Sequence, residues 1–265
     1  MNRKLSNWQA TAFNQSEDSS NQIHSDEMAK AYGFKGGLVP GVTVSAYLMH
    51  PAVQAWGTDW LTQGAAKIVV EKPLYDGYEF SVDLSDSSET TYRALLSDLY
   101  LNKNAPPPPT LRGDLPLEKN QPIANATREE MERLRENGMR ALHVRWNEHN
   151  NMATYLKDRH AMPELHNFSE PGCAYANAAF MLSLSNWVLA GNAYMNPWIH
   201  LQTESQNYAV VENNTDLHVE CDIHDLFEKK GHQFVDLNVD TYVRETAQPV
   251  MTTRLRAIYQ LRAAS

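Results

Sequence analysis

His24 stands three residues after Asn21 in a polar run, and by Val53 the same stretch has supplied a short capped helix, a glycine loop and an apolar helix. An imidazole is the side chain whose ordinary pKa lies closest to neutrality. Just upstream, Ser19 adds a hydroxyl and Asp18 and Glu17 add carboxylates. Ser25 or Asp26 suits the N-cap of a helix over Glu27 to Tyr32, closed by Gly33. Gly36 and Gly37 then permit a turn and a close backbone approach that a side chain would block. After Pro40-Gly41 the chain is apolar on nearly every side (Val42, Val44, Ala46, Tyr47, Leu48, Met49), which describes a buried helix. Pro51 is expected to end that helix, kink it or begin a second one. A buried helix that starts at a Pro-Gly turn points unpaired N–H groups and the positive end of its dipole forward. Such a place can hold an anion or a polarised carbonyl oxygen.

Other elements must position these groups. Residues 7 to 15 read as a first strand, and Lys67 to Leu74 and Tyr78 to Leu84 as strands joined in a hairpin through Tyr75-Asp76-Gly77. Thr90 to Leu101 is a third candidate strand. The composition then changes: Ala105 to Pro109, followed by Gly113, Pro116 and Pro122, predicts a stiff extended connector with little to bury. Asn125 to Gly138 reads as a charged surface helix capped by Thr127. Beyond it the layout repeats. Pro171-Gly172 precedes an apolar helical stretch, Cys173 to Gly191, and strands succeed it over Ile199 to Val211, Asp216 to Phe227, His232 to Val243 and Val250 to Leu261. Matching Gly41 to Gly172 and the turn at Asp76-Gly77 to Asn213-Asn214 gives a diverged internal duplication, with six extra residues expected between helix and hairpin in the second copy.

Composition excludes several classes. The chain of 265 residues carries 23 basic against 32 acidic side chains, a balance that argues against nucleic-acid binding. The N-terminus has no apolar signal-peptide core, and no apolar run reaches the length of a membrane span, so a cytoplasmic protein is expected. Cys173 and Cys221 lack metal-ligand spacing and read as reduced core thiols. No phosphate-binding glycine loop or nucleophile elbow appears, and no metal site is expected. His166, with Glu164 and Glu170, could serve a second groove. His200, His218, His224 and His232 fall on or beside strands and read as surface or structural; His143, His149 and His160 scatter without pattern.

The run Glu17 to His24, the glycine loop ending at Pro40-Gly41, the apolar helix and the segment Ala65 to Leu84 together resemble the MaoC-like, or hydratase 2, branch of the hot-dog fold. The resemblance covers roughly the first hundred residues and implies an α+β double hot-dog chain, each half an antiparallel sheet wrapped around one apolar helix. Residues 1–103 would form the first module, 104–140 the connector and 141–265 the second module, which has no counterpart of the Asn-x-Ile-His run and would shape the acyl pocket. The family's catalytic histidine carries over onto His24 and its asparagine onto Asn21, but its aspartate position holds Ser19, with Asp18 one place early. The resemblance implies a cofactor-free acyl-thioester hydro-lyase on coenzyme A or carrier-protein substrates, with His24 as general acid/base. Asn21 would orient it or a water, Ser19 could hold the water that an aspartate would otherwise activate, and the backbone N–H groups of Gly41 and Val42 would polarise the carbonyl, with Pro40 and Gly37 also binding the substrate. A thioesterase, or a catalytically silent thioester-binding subunit, is the alternative. Trp56 and Trp60 could line the acyl channel, Lys35, Lys67 and Lys72 could form a basic patch, and two such chains could associate as a homodimer.

Overall fold

The structure, a computed structural model, describes residues 4–167 and 173–262. In the first half, β1 (Trp8–Thr11) precedes one 3-10 turn at Gln22–His24 and α1 (Asp26–Ala31). Next come α2 (Gly41–Trp56), α3 (Thr58–Gln63), β2 (Gly64–Val69), β3 (Glu79–Val82), β4 (Leu84–Ser85), β5 (Thr91–Ala94) and β6 (Ser97–Leu101). A connector carrying α4 (Arg128–Asn137) leads to β7 (Leu142–Arg145), β8 (His166–Asn167), β9 (Cys173–Ala174) and α5 (Ala178–Asn192). The chain closes with β10 (Ile199–Asn207), β11 (Asp216–Lys229), β12 (His232–Val243) and β13 (Pro249–Gln260).

One antiparallel sheet of nine strands runs through both halves in the order β4-β5-β6-β2-β10-β13-β12-β11-β7, while β1 and β3 pair separately. α2 packs on β2, β6 and β10, α5 packs on β7, β11, β12 and β13, and the two helices pack on each other. Each half is thus a sheet around one apolar helix, as expected of a double hot-dog.

The register reveals the duplication more accurately than the Pro-Gly turns do. Gly41 and Ala178 open the two helices 137 positions apart, and the left-handed turn residues Gly77 and Asn214 are also 137 apart. So are Lys67 and Glu204, which face each other where β2 meets β10 and form an ion pair at 3.0 Å. A pseudo-two-fold axis therefore passes through that pair. No extra residues lie between helix and turn in the second copy: α5 begins at Ala178, where the Asn177 side chain accepts from Phe180 N at 3.0 Å. The turn at 169–172 lies outside the described residues, as do the side chains of His166 and Cys173. Lys67, taken up by Glu204, is no part of a patch with Lys35 and Lys72.

Other expectations change for physical reasons. Lys67–Leu74 and Tyr78–Leu84 do not form a hairpin; β2 pairs with β6 and β10, and β3 pairs with β1. The turn at Tyr75–Tyr78 is real, but it hands the chain to a different partner, with Gly77 N donating to Ala12 O and Ala12 N to Tyr78 O. Thr90–Leu101 is itself a hairpin, turned at Leu95, whose φ is 54°. Pro51 sits inside α2, which neither stops nor restarts before Trp56. Burial on all sides supports the turn that its missing N–H weakens, and Tyr92 Oη donates to Leu48 O there at 2.7 Å. Trp56 and Trp60 pack against each other at a tilt of 36° in the core. Cys221 is buried and free, and burial pushes its thiol pKa up.

The connector buries more than its composition suggests. Along β11, Leu217, Val219, Cys221 and Ile223 belong to the core, so the alternating His218, Glu220 and Asp222 face the other side of the sheet. There the fully buried Glu220 carboxylate accepts from the backbone N–H groups of Gly113 (2.6 Å), Asp114 (2.8 Å) and Arg112 (2.8 Å). His218 Nε2 donates to it at 3.1 Å, and His143 lies 2.8 Å behind His218, so two histidines that look superficial or unpatterned in the sequence form a structural chain. Thr127 caps α4 as expected, while Met131 and Leu134 reach the core.

Burial would raise the Glu220 pKa, but the hydrogen bonds from Arg112, Asp114, His218 and Gly113 outweigh it and hold the group below its ordinary 4.5. A depressed carboxylate contributes stability above that ordinary value and loses it as pH falls through the folded value. Glu220→Gln is expected to cost about 3 kcal/mol at neutral pH, as for a broken buried ionic network. Urea melts across pH should show the gap to wild type narrowing below pH 4.5; a pH-independent gap would contradict this role.

Candidate active site

The backbone around His24 is fixed before its ring is. Asn21 caps the 3-10 turn, Asn14 Nδ2 donates to His24 O at 3.0 Å, and Leu38 N donates to Ile23 O. The glycine loop closes over this turn, and a Cβ on Gly37 would overlap the His24 carbonyl oxygen. Asp26 is the first residue of α1, not its cap; its Oδ1 accepts from Gly37 N at 2.9 Å and its Oδ2 pairs with Lys30 at 2.7 Å.

The His24 ring is held by Nδ1, which donates to Leu38 O at 2.7 Å, since a carbonyl only accepts. Nε2 is therefore the unprotonated nitrogen, with Asn21 Nδ2 at 3.5 Å. Desolvation lowers the His24 pKa below 6.5 despite the opposing bond to Leu38, so the ring is neutral at pH 7. His24 borders two cavities. The inner one, about 170 Å³, lies between the halves, and the outer one, about 330 Å³, is lined by Glu17, Lys35, Gly37 and Tyr75 among others.

The inner cavity is the chemically organised one. Pro40, Gly41 and Val44 bring the start of α2 to its wall, and Gly41 and Val44 are among the few α2 residues left half-buried. Among the described residues no acceptor takes the N–H of Gly41 or Val42. The Val42 side chain is in the core and does not line the cavity, so only its backbone could serve. Glu71, Lys72 and Leu74 line another side, and the second half contributes Asn186 from α5 and Trp198 to Leu201 at the start of β10.

Asn21 is chiefly a brace between the halves. Its Nδ2 donates to Trp198 O at 3.0 Å and its Oδ1 accepts from Trp198 N at 3.2 Å. Ser19 donates its hydroxyl to Asn21 O at 3.1 Å, Asp18 is exposed, and neither lines a cavity. Ser19 therefore supports the turn, and the carboxylates that line the cavities are Glu71 in the inner one and Glu17, Asp26 and Asp76 in the outer.

His200, expected at the surface or in a structural role, is buried in this cavity. Its Nδ1 is 3.0 Å from Asn186 Oδ1, and its Nε2 has no partner. An asparagine, Asn186, in a helix whose other polar residues within Ala178–Gly191 are only serines, is the available signal. Among the described residues no group of three or more His, Cys, Asp or Glu side chains is placed to hold a metal, and no helix is long and apolar enough to cross a membrane.

Fold and site together define a double hot-dog chain with a cavity at the junction of its halves that His24 and His200 line. Among solved structures, the chain is similar to RV0216, a conserved hypothetical protein of Mycobacterium tuberculosis described as having a double hotdog fold. The two share 14% identity over 97% of this chain and 96% of that one, with a TM-score of 0.54. A MaoC-like dehydratase (9% identity, 97% and 98% covered, TM-score 0.46) and the tesB protein of Mycobacterium avium subs paratuberculosis (10%, 97% and 94%, 0.47) are more distant in shape. No protein-family model matches the chain, and no curated protein matches it. At these identities the likeness concerns the fold.

Burial lowers the His50 pKa to about 4 and the His200 pKa to about 3. Both rings are neutral when folded, so their contribution is whole above pH 6.5 and is lost as pH falls toward the folded values. Stability is expected to drop by about 1.4 kcal/mol per pH unit for each ring below pH 6. Denaturant melts between pH 7 and pH 4 should show this slope, and replacing His50 by Gln should reduce it by one ring's share.

Proposed function

We propose that the chain is an acyl-thioester hydro-lyase that interconverts 3-hydroxyacyl and 2-enoyl thioesters without a resident cofactor. The observation that carries this reading is the unprotonated His24 Nε2 in the inner cavity, with only Asn21 Nδ2 near it at 3.5 Å, and beside it the start of α2, where among the described residues no acceptor takes the N–H of Gly41 or Val42. In the dehydration direction the thioester carbonyl accepts from those two amides. His24 Nε2 removes a proton from the α-carbon, and the resulting enolate is held at the positive end of α2. As the double bond forms, the bond from the β-carbon to oxygen breaks, and the imidazolium returns its proton to the departing oxygen as water. One base thus serves both steps, which suits a site where Ser19 replaces a carboxylate and Asp18 faces solvent. Lys72 and Lys35 supply cations at the inner and outer cavities for the anionic arm of coenzyme A or a carrier protein.

Glu71 lines the same cavity and favours a second reading, in which it activates a water on the carbonyl carbon and the chain is a thioesterase. The two separate in one assay. Purified protein mixed with enoyl-CoA substrates of increasing length should remove the enoyl-thioester absorbance, and His24→Ala should slow this roughly 100-fold or more while staying folded by circular dichroism. Release of free thiol without prior hydration would establish the thioesterase instead, and no turnover of any thioester would leave a binding protein.

A further inference from the structure

The unused group in the cavity is His200, and three observations show that it is built into the site. Its ring lies directly on the first residue of α2: a Cβ on Gly41 would come within 2.9 Å of His200 Cβ and Cδ2. A carbonyl held by the amides of Gly41 and Val42 would therefore be its immediate neighbour. Its Nδ1 is engaged by Asn186 Oδ1, which makes Nδ1 the donor and leaves Nε2 as an acceptor. That Nε2 is buried and has no partner, in a residue only 6% exposed.

The internal symmetry provides a control. At the pseudo-equivalent positions, Gly41 becomes Ala178, Asn186 becomes Met49 and His200 becomes Gln63. The cavity there, bordered by Met49, Ala178 and Met181, shrinks to about 30 Å³ and is mainly apolar. The fold thus does not require a polar pair at this place. The glycine, the asparagine and the histidine occur together only on the side that carries His24.

We propose that His200 is a specificity-determining residue that accepts a hydrogen bond from the 3-hydroxyl of the substrate's acyl chain. The inference rests on the thioester reading and deepens it. For a thioester carbonyl seated at the start of α2, the hydroxyl on the β-carbon is the first donor along the acyl chain. The pantetheine amide is separated from the carbonyl by the sulfur and further carbons. With its hydrogen committed to His200, the hydroxyl oxygen keeps its lone pairs free for the proton that His24 returns. His200 exchanges no proton itself, because burial keeps it neutral. It is a positioning acceptor for hydroxyacyl over saturated acyl chains.

The test is a binding comparison in the His24→Ala protein, which should hold ligand without converting it. Calorimetry with 3-hydroxyacyl-CoA and saturated acyl-CoA of matched length should give a preference of about tenfold for the hydroxyacyl ligand, the worth of one hydrogen bond. Adding His200→Phe, which keeps a ring against Gly41, should erase the preference and leave the saturated ligand's affinity within about twofold. Independently of any His200 variant, the imidazole nitrogen spectrum should show the His200 Nε2 resonance moving with the hydroxyacyl ligand and not with the saturated one. Equal affinities for the two ligands, a preference that survives His200→Phe, or an unmoved Nε2 resonance would overturn the inference while leaving the thioester reading intact. Failure to bind either ligand would overturn both.

Discussion

The antiparallel joint between β2 and β10 is the constraint on which the rest depends. A half-sheet that ends at β2 or at β10 leaves a row of unpaired backbone groups, and pairing the two edges satisfies both at once. Because the pairing is centred on Lys67 and Glu204, it fixes the pseudo-two-fold and with it the placement of α2 beside α5. It also delivers the first residues of β10 to the start of α2. A slip of one residue would turn His200 and Trp198 to the other side of the sheet. Asn21 guards against that slip by bonding both backbone groups of Trp198, so the turn that carries His24 and the strand that carries His200 are held in one register.

Symmetry makes two cavities, and divergence has given them opposite solutions. Around Met49 and Ala178 the chain has filled the space with apolar side chains, the arrangement that stabilises a core. Around Gly41 it has kept an opening, helix amides without acceptors and a buried imidazole nitrogen, which costs about 1–3 kcal/mol when left unpaired. Such a cost persists only where the surrounding structure supports it, and here that support comes from both halves. The second half is therefore more than a wall: it supplies Asn186 and His200 to a site whose other groups come from the first.

Much of this is legible in the chain, and the failures have physical causes. The apolar helix, the glycine loop, the short α1 and the last four strands announce themselves through periodicity and turn chemistry, which are local, although Ser25 precedes α1 without a capping bond from its side chain. Strand partners are not local: Tyr75-Asp76-Gly77 looks like a hairpin turn whether the next strand pairs with β2 or, as it does, with β1. The Leu95-Leu96 turn carries no glycine, asparagine or proline to mark it. Matching the two Pro-Gly turns misaligns the copies, because α5 takes its start from the Asn177 cap. His200 is hidden for the deepest reason, since the face a strand residue presents depends on register with a partner strand in the other half of the chain. Only the matching separation of Lys67 and Glu204, once pairing is known, brings it opposite Gly41.

Burial of the two rings also orders the proposed chemistry. Desolvation keeps His24 uncharged before a substrate arrives, and the bond from Nδ1 to Leu38 O fixes which nitrogen is bare, so the ring starts as a base. Once it takes the α-proton, two charges arise together: an imidazolium at His24 and an enolate at the start of α2. Opposite charges formed a few ångströms apart in a low-dielectric space stabilise each other far more than in water. The burial that weakens His24 as a lone cation thus strengthens it as half of a transient pair. Burial likewise keeps His200 from competing for the proton, because its charged form would be buried without a counter-ion. Two histidines lining one cavity can then divide the work, one moving a proton and the other only receiving a hydrogen bond, with the division set by what each ring nitrogen already holds.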